Sequence, residues 1–171
     1  AERAEAMVVG LESRNREGHV IGGSGFVVTS DGFILTLASM VPQGYTTNVY
    51  LKEGSAPFLA EVLKRDFTKD LAVIKIEERN LQTTGFASED SVRLGAPVVL
   101  VAKTLEAGSL VTIVNQGIVR TKLGGAVRTN IFDKIALGGS PLLNLEGNIV
   151  GLSAFESSGR LVAIPASVLR A

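Results

Sequence analysis

Short β-branched runs recur along this chain with turn residues between them, and that recurrence limits the possible folds more than any other feature. Twelve such runs cover residues 7–11, 25–29, 33–36, 47–51, 58–64, 71–76, 97–102, 113–121, 126–132, 141–143, 148–154 and 161–164. Runs of this length, unrelieved by longer helical patterns, predict an all-β barrel or sandwich and argue against alternating strand and helix. The joints carry suitable chemistry. Ser30-Asp31-Gly32 and Leu145-Glu146-Gly147-Asn148 each place a glycine between apolar runs and predict hairpins. The polar stretch 77–94 leaves six runs on either side of it, which predicts two six-stranded halves, residues 1–85 and 86–171. Residues 1–6 read as a polar lead-in, and the helix formers after Pro165 predict a short C-terminal helical turn.

Composition narrows the function. With 46% apolar residues in 171, the chain has enough Val, Ile, Leu and Ala to bury a core, which excludes intrinsic disorder. Its 17 basic and 17 acidic residues cancel, so no positive field concentrates nucleic acid. The longest apolar runs, such as 71–74 and 96–102, fall far short of the ~20 residues of a membrane helix, so this segment is expected to make no direct membrane insertion. No leader-like apolar segment precedes the first run. Cysteine is absent, which removes disulfides and thiolate chemistry, and His19 is the only histidine. No spacing suggests a metal site, and the glycines at 22, 23 and 25 lead into a strand and not into a phosphate-binding helix; no cofactor is expected.

Four ordered motifs resemble the trypsin-like proteases of the HtrA/Deg type. Gly23-Ser24-Gly25-Phe26, continued by Asp31-Gly32-Phe33-Ile34-Leu35-Thr36, resembles the hairpin that leads to the catalytic His of that family. Asp66-Phe67-Thr68-Lys69-Asp70-Leu71-Ala72-Val73-Ile74-Lys75 resembles its segment carrying the triad Asp. Ser140-Pro141-Leu142-Leu143 through Gly151-Leu152 resembles the strand pair after its nucleophile loop, and Val162-Ala163-Ile164-Pro165 its ending. The resemblance spans residues 7–170 and implies two six-stranded antiparallel β-barrels with a short C-terminal helical turn.

Carried over position by position, the resemblance puts Ser39 where the family has its general base, Asp70 at the triad acid, and Gly138 at the nucleophile. The acid of such a triad orients and stabilises the imidazole but neither attacks nor transfers the substrate's proton, so Asp70 alone implies no chemistry. The loop of Ala136, Leu137, Gly138, Gly139 and Ser140 departs from the family pattern at three adjacent positions, which implies an eroded oxyanion hole. A side chain at Gly138 is expected to meet a backbone conformation that only glycine tolerates. Ser140 precedes Pro141 and is displaced from the nucleophile position, while Lys134, the one conceivable amine partner for it, sits beside Asp133.

The expectation is therefore a chain that is not an enzyme: a pseudoprotease that binds a protein or an extended peptide in a scaffolding or regulatory role. The alternative is an active serine hydrolase working through Ser140 or Ser39. The resemblance further implies an extracytoplasmic setting, the bacterial periplasm or a membrane anchor facing it, with PDZ domains or an anchor outside this segment. Relatives trimerise through aromatic residues in an N-terminal arm; residues 1–9 contain none, and the oligomeric state is not readable.

Overall fold

A computed structural model describes residues 2–123 and 125–169. The chain is all-β, as expected, and its strands form two antiparallel units in sequence order. The first contains β1 (Val8–Arg14), β2 (Val20–Val27), β3 (Phe33–Thr36), β4 (Thr46–Tyr50), β5 (Phe58–Leu59), β6 (Glu61–Asp66) and β7 (Leu71–Lys75). They lie in the order β5-β4-β1-β2-β3-β7-β6. The second contains β8 (Pro97–Glu106), β9 (Ser109–Leu123), β10 (Ala126–Phe132), β11 (Pro141–Leu143), β12 (Ile149–Phe155) and β13 (Arg160–Pro165). These six close into a barrel, β10-β13-β12-β11-β8-β9.

The first unit holds seven strands where six runs were expected, because the run at 58–64 divides. Only Ala60 separates β5 from β6, yet β5 pairs with β4 while β6 pairs with β7. One bent length of chain therefore serves both edges of the sheet. The Ala60 N–H donates to the Thr47 carbonyl at 3.0 Å, so the bend is itself hydrogen-bonded to β4. Two short helices flank the strands: α1 (Glu2–Glu5), within the polar lead-in of the sequence, and α2 (Ala166–Leu169), the expected turn after Pro165.

Side-chain capping fixes the hairpins. Asn15 accepts the N–H groups of Glu17 and His19 at the β1–β2 turn, and Asn144 accepts those of Glu146 and Asn148 at the β11–β12 turn. In both loops a short polar side chain bonds the backbone two and four residues on, which is why asparagine suits them. At the β2–β3 turn Gly32 has φ 108, and a Cβ there would stand 2.2 Å from the Ile76 carbonyl oxygen. No other residue fits that position.

β8 is where the two units join. Leu100, Val101, Ala102, Lys103 and Thr104 are all buried, a continuous run and not an alternating one. A strand packed on both faces needs apolar residues on both, and β8 packs inside its barrel and against β1 and β2. The core of the first unit, centred on Phe26, Ile34, Ile74 and Val49, accordingly takes in Val101, Leu143, Ile149 and Leu152 from the second. Leu100, Ile131, Leu137, Leu142 and Leu161 fill the barrel itself.

Candidate active site

Two 3-10 turns, one from each unit, face one another at the junction. The first, Ala38–Met40, follows β3. Asp70 holds it from the start of β7: the Ser39 N–H donates to Asp70 Oδ1 at 2.8 Å, and Ser39 Oγ to Oδ2 at 3.1 Å. The Ala38 N–H adds a bond to the Asp70 carbonyl at 3.2 Å. Both carboxylate oxygens thus have donors, which satisfies a half-buried anion without an imidazole. Asp70 adopts φ 56, a left-handed conformation that aspartate tolerates better than most residues and that turns the carboxylate toward Ser39. Ser39 is exposed.

The second turn, Ile135–Leu137, leads into the loop that the sequence singled out. Ala136 is exposed on it, whereas Leu137 is fully buried in the barrel core and anchors the loop. The Gly138 N–H donates to the Ile135 carbonyl at 2.9 Å, so it closes the turn and does not face a substrate oxyanion. Gly139 donates to the Ser153 carbonyl at 2.8 Å, and Ser153 returns a bond to the Ser140 carbonyl at 2.8 Å. Ser140 is buried, with its hydroxyl donating to the Leu137 carbonyl at 2.7 Å. Its oxygen is held inside the loop.

The strained position is Gly139 and not Gly138. Gly138 has φ −59 and ψ 144, open to any residue, whereas Gly139 has φ 94. A Cβ on Gly139 would lie 2.0 Å from the Ser24 carbonyl oxygen. The need for glycine at 138 is one of space: a Cβ there would come within 2.9 Å of Met40 Cε and 3.0 Å of Leu37 Cδ1. Met40 also closes on Gly23, whose Cβ position is 2.6 Å from Met40 Sδ. The methionine therefore fills the gap between the two turns. Ser24 ties them together from beneath, its N–H donating to the Gly138 carbonyl at 3.0 Å and its carbonyl accepting Thr36 Oγ1 at 2.8 Å.

The structure brings Ser39 and Asp70 into contact and gathers Leu137, Gly138, Gly139 and Ser140 into one loop. It leaves the other candidates elsewhere. His19 sits on the β1–β2 turn with Nδ1 2.7 Å from the Tyr45 hydroxyl, and Lys134 pairs with Glu106 at 3.0 Å. Met40, Ser24, Thr36 and Ser153 were not anticipated as parts of the site. Ser24 and Thr36 stand within the motif that carried the resemblance, which was the available signal; an apolar residue such as Met40 carries none. The described residues contain no group of three or more His, Cys, Asp or Glu able to hold a metal ion.

Beside this loop β12 runs past the end of its ladder with β11. The β11–β12 ladder ends at the pair Pro141 and Leu152, and the Ser153 backbone is taken by residues 139 and 140. Beyond it, among the described residues, Ala154 and Phe155 pair only with β13 on the far side, through Val162 and Leu161.

A seven-stranded half-barrel and a closed six-stranded barrel, whose facing turns carry a Ser39–Asp70 pair and a Gly-Gly-Ser loop, define a trypsin-like protein. A family model described as a trypsin-like peptidase domain matches residues 23–152, and the chain belongs to this family, in its HtrA-type branch. It is 32% identical over 164 residues to a protein of Rhizobium meliloti (strain 1021) named as a DegP-like periplasmic serine endoprotease, covering 86% of this chain and 32% of the relative. It is 31% identical over 170 residues to serine protease HTRA1B of Danio rerio, covering 91% of this chain and 35% of the relative. The chain thus spans about a third of the length of these relatives. The crystal structure of a serine endoprotease from Yersinia pestis superposes with a TM-score of 0.87 over 99% of this chain and 62% of that one, at 23% identity.

These relatives correct one expectation. The chain was expected not to be an enzyme, but it belongs to a peptidase family and its relatives are named serine proteases, which points to a protease. The physical reason lies in what the expectation rested on. Side chains missing at two positions say nothing of the hydroxyls that remain nearby, and Ser39 is both exposed and hydrogen-bonded to a carboxylate.

Proposed function

We propose that this trypsin-like domain engages protein substrates or partners in extended form, adding a polypeptide segment to the open edge of β12 as one more strand. The observation that carries the proposal is that edge itself: among the described residues, Ala154 and Phe155 are paired on one side alone, next to the Gly138–Ser140 loop. An unpaired strand edge is a template for main-chain hydrogen bonding, which suits a module that binds protein or peptide, whether for processing, scaffolding or regulation. Nucleic acid is a poor match for a chain of zero net charge. The names of the periplasmic relatives support an extracytoplasmic workplace. Among the described residues no helix is long and apolar enough to cross a membrane.

The test uses unstructured peptides with and without backbone N-methylation at alternate residues, titrated against the chain by fluorescence anisotropy. Strand addition requires that methylation weaken binding on the order of tenfold or more. Equal binding of both series, or no binding of either, refutes it.

Hydrolysis in the same mixtures would run through Ser39. Of the two hydroxyls the sequence put forward, Ser39 is exposed and bonded to Asp70, whereas Ser140 is buried and donates to Leu137. A serine-directed fluorophosphonate should then label Ser39. Labelling that persists in Ser39→Ala assigns any turnover to another group.

A further inference from the structure

A second concavity opens where α1, the β4–β5 connection, the 77–94 stretch and the β8–β9 hairpin converge. Its volume is about 560 Å³, within the range of small-molecule sites. One wall is Lys103 of β8, a lysine only 6% exposed. Its Nζ donates to the Leu51 carbonyl at 2.8 Å, and Leu51 lines the same cavity. Nothing in the proposed polypeptide site uses this amine.

We infer that Lys103 is a reactive amine site that captures small aldehydes as an imine within this cavity. A lysine becomes a nucleophile at neutral pH when its surroundings favour the uncharged form, and burial does this. Burial pushes the Lys103 pKa below the ordinary lysine value, and Glu5 on α1 offsets only part of that effect. The other charged groups lining the cavity are Lys52 and Glu53 from the β4–β5 connection and Glu78 from the linking stretch. Glu53 is already engaged, accepting the Leu110 N–H. In its uncharged form the amine can donate one N–H to Leu51 and keep its lone pair for attack. Leu51 and Leu110 give the cavity apolar surface that suits the body of an aliphatic or aromatic aldehyde.

The chemistry needs no oxidant. Nζ attacks the carbonyl carbon, a C–N bond forms, and the carbonyl oxygen takes a proton to give a carbinolamine. Loss of that oxygen as water, with both amine hydrogens accounted for in the water released, leaves the C=N bond of the imine.

Butanal with cyanoborohydride, which reduces the imine to a stable secondary amine, tests the site on the whole chain. Peptide mapping by mass spectrometry should show Lys103 modified on the order of tenfold faster than exposed Lys52, with the preference lost in concentrated guanidinium. Its labelling rate should also reach half-maximum at lower pH than that of Lys52. Lys103→Arg has no amine able to form the imine, so the fast site should vanish from the map. Modification of Lys103 no faster than that of Lys52 in the folded chain overturns the inference, whatever the variant does.

Discussion

Asp70 and Gly139 show how much of the candidate site is held by single backbone conformations. Gly139 at φ 94 has its Cβ position 2.0 Å from the Ser24 carbonyl oxygen, so Gly139→Ala must move main chain and not merely a side chain. The expected loss is roughly 3 kcal/mol of unfolding free energy, read from a denaturant midpoint. Gly138→Ala, with an ordinary φ, meets the flexible ends of Met40 and Leu37 first and main chain only at 3.2 Å, the Ile135 carbonyl oxygen, and should cost less. The reverse order would mean that the loop conformation described for these two glycines is wrong. Asp70 offers a second contrast. Asparagine keeps an oxygen for the Ser39 N–H and tolerates φ 56, so Asp70→Asn should stay within about 1 kcal/mol of the parent. Asp70→Val loses both carboxylate bonds to Ser39 and puts a β-branched residue in the left-handed region, for a loss of about 3 kcal/mol by the same measurement.

At the level of elements, the bend at Ala60 carries the chain from one edge of the first sheet to the other. Replacing Ala60 by proline removes the N–H bonded to the Thr47 carbonyl, whose residue is buried, and should cost roughly 2 kcal/mol. Thermal unfolding followed by circular dichroism would register the drop; an unchanged midpoint would mean that the bend contributes nothing. The sequence made most strands legible, for identifiable reasons. β8 announces itself because both of its faces are buried, and the β2–β3 hairpin because Asp31-Gly32 leaves the chain few alternatives. The division of 58–64 into β5 and β6 was not legible, since it depends on which neighbours claim each end. β9 begins at Ser109, four residues before the run expected at 113, because ten pairs with β8 carry polar residues into the ladder. The Ser39–Asp70 contact followed from motif positions, whereas Met40 looks like any core methionine until Gly23 and Gly138 are seen against it.

Across the whole molecule, Lys103 gives stability a definite dependence on pH. Its pKa is lowered in the folded chain from 10.5, so between the folded and unfolded values the unfolded chain binds more protons. Stability from this group therefore rises with pH through that window and levels off above the unfolded pKa. The parent should gain on Lys103→Met as pH rises toward 10.5, measured as the difference in denaturant midpoints; a difference that stays flat or falls contradicts the shift. The sharing of one core between the two units has a consequence for how the molecule comes apart. Val101, Leu143, Ile149 and Leu152 complete the packing around Phe26 and Ile74, and Ser24 is bonded to Gly138. The units are thus joined by interdigitated side chains as well as by the covalent connection through 77–94. Cutting that connection with a protease should leave two fragments that elute together and melt in a single transition, the behaviour of a split protein whose pieces complement one another.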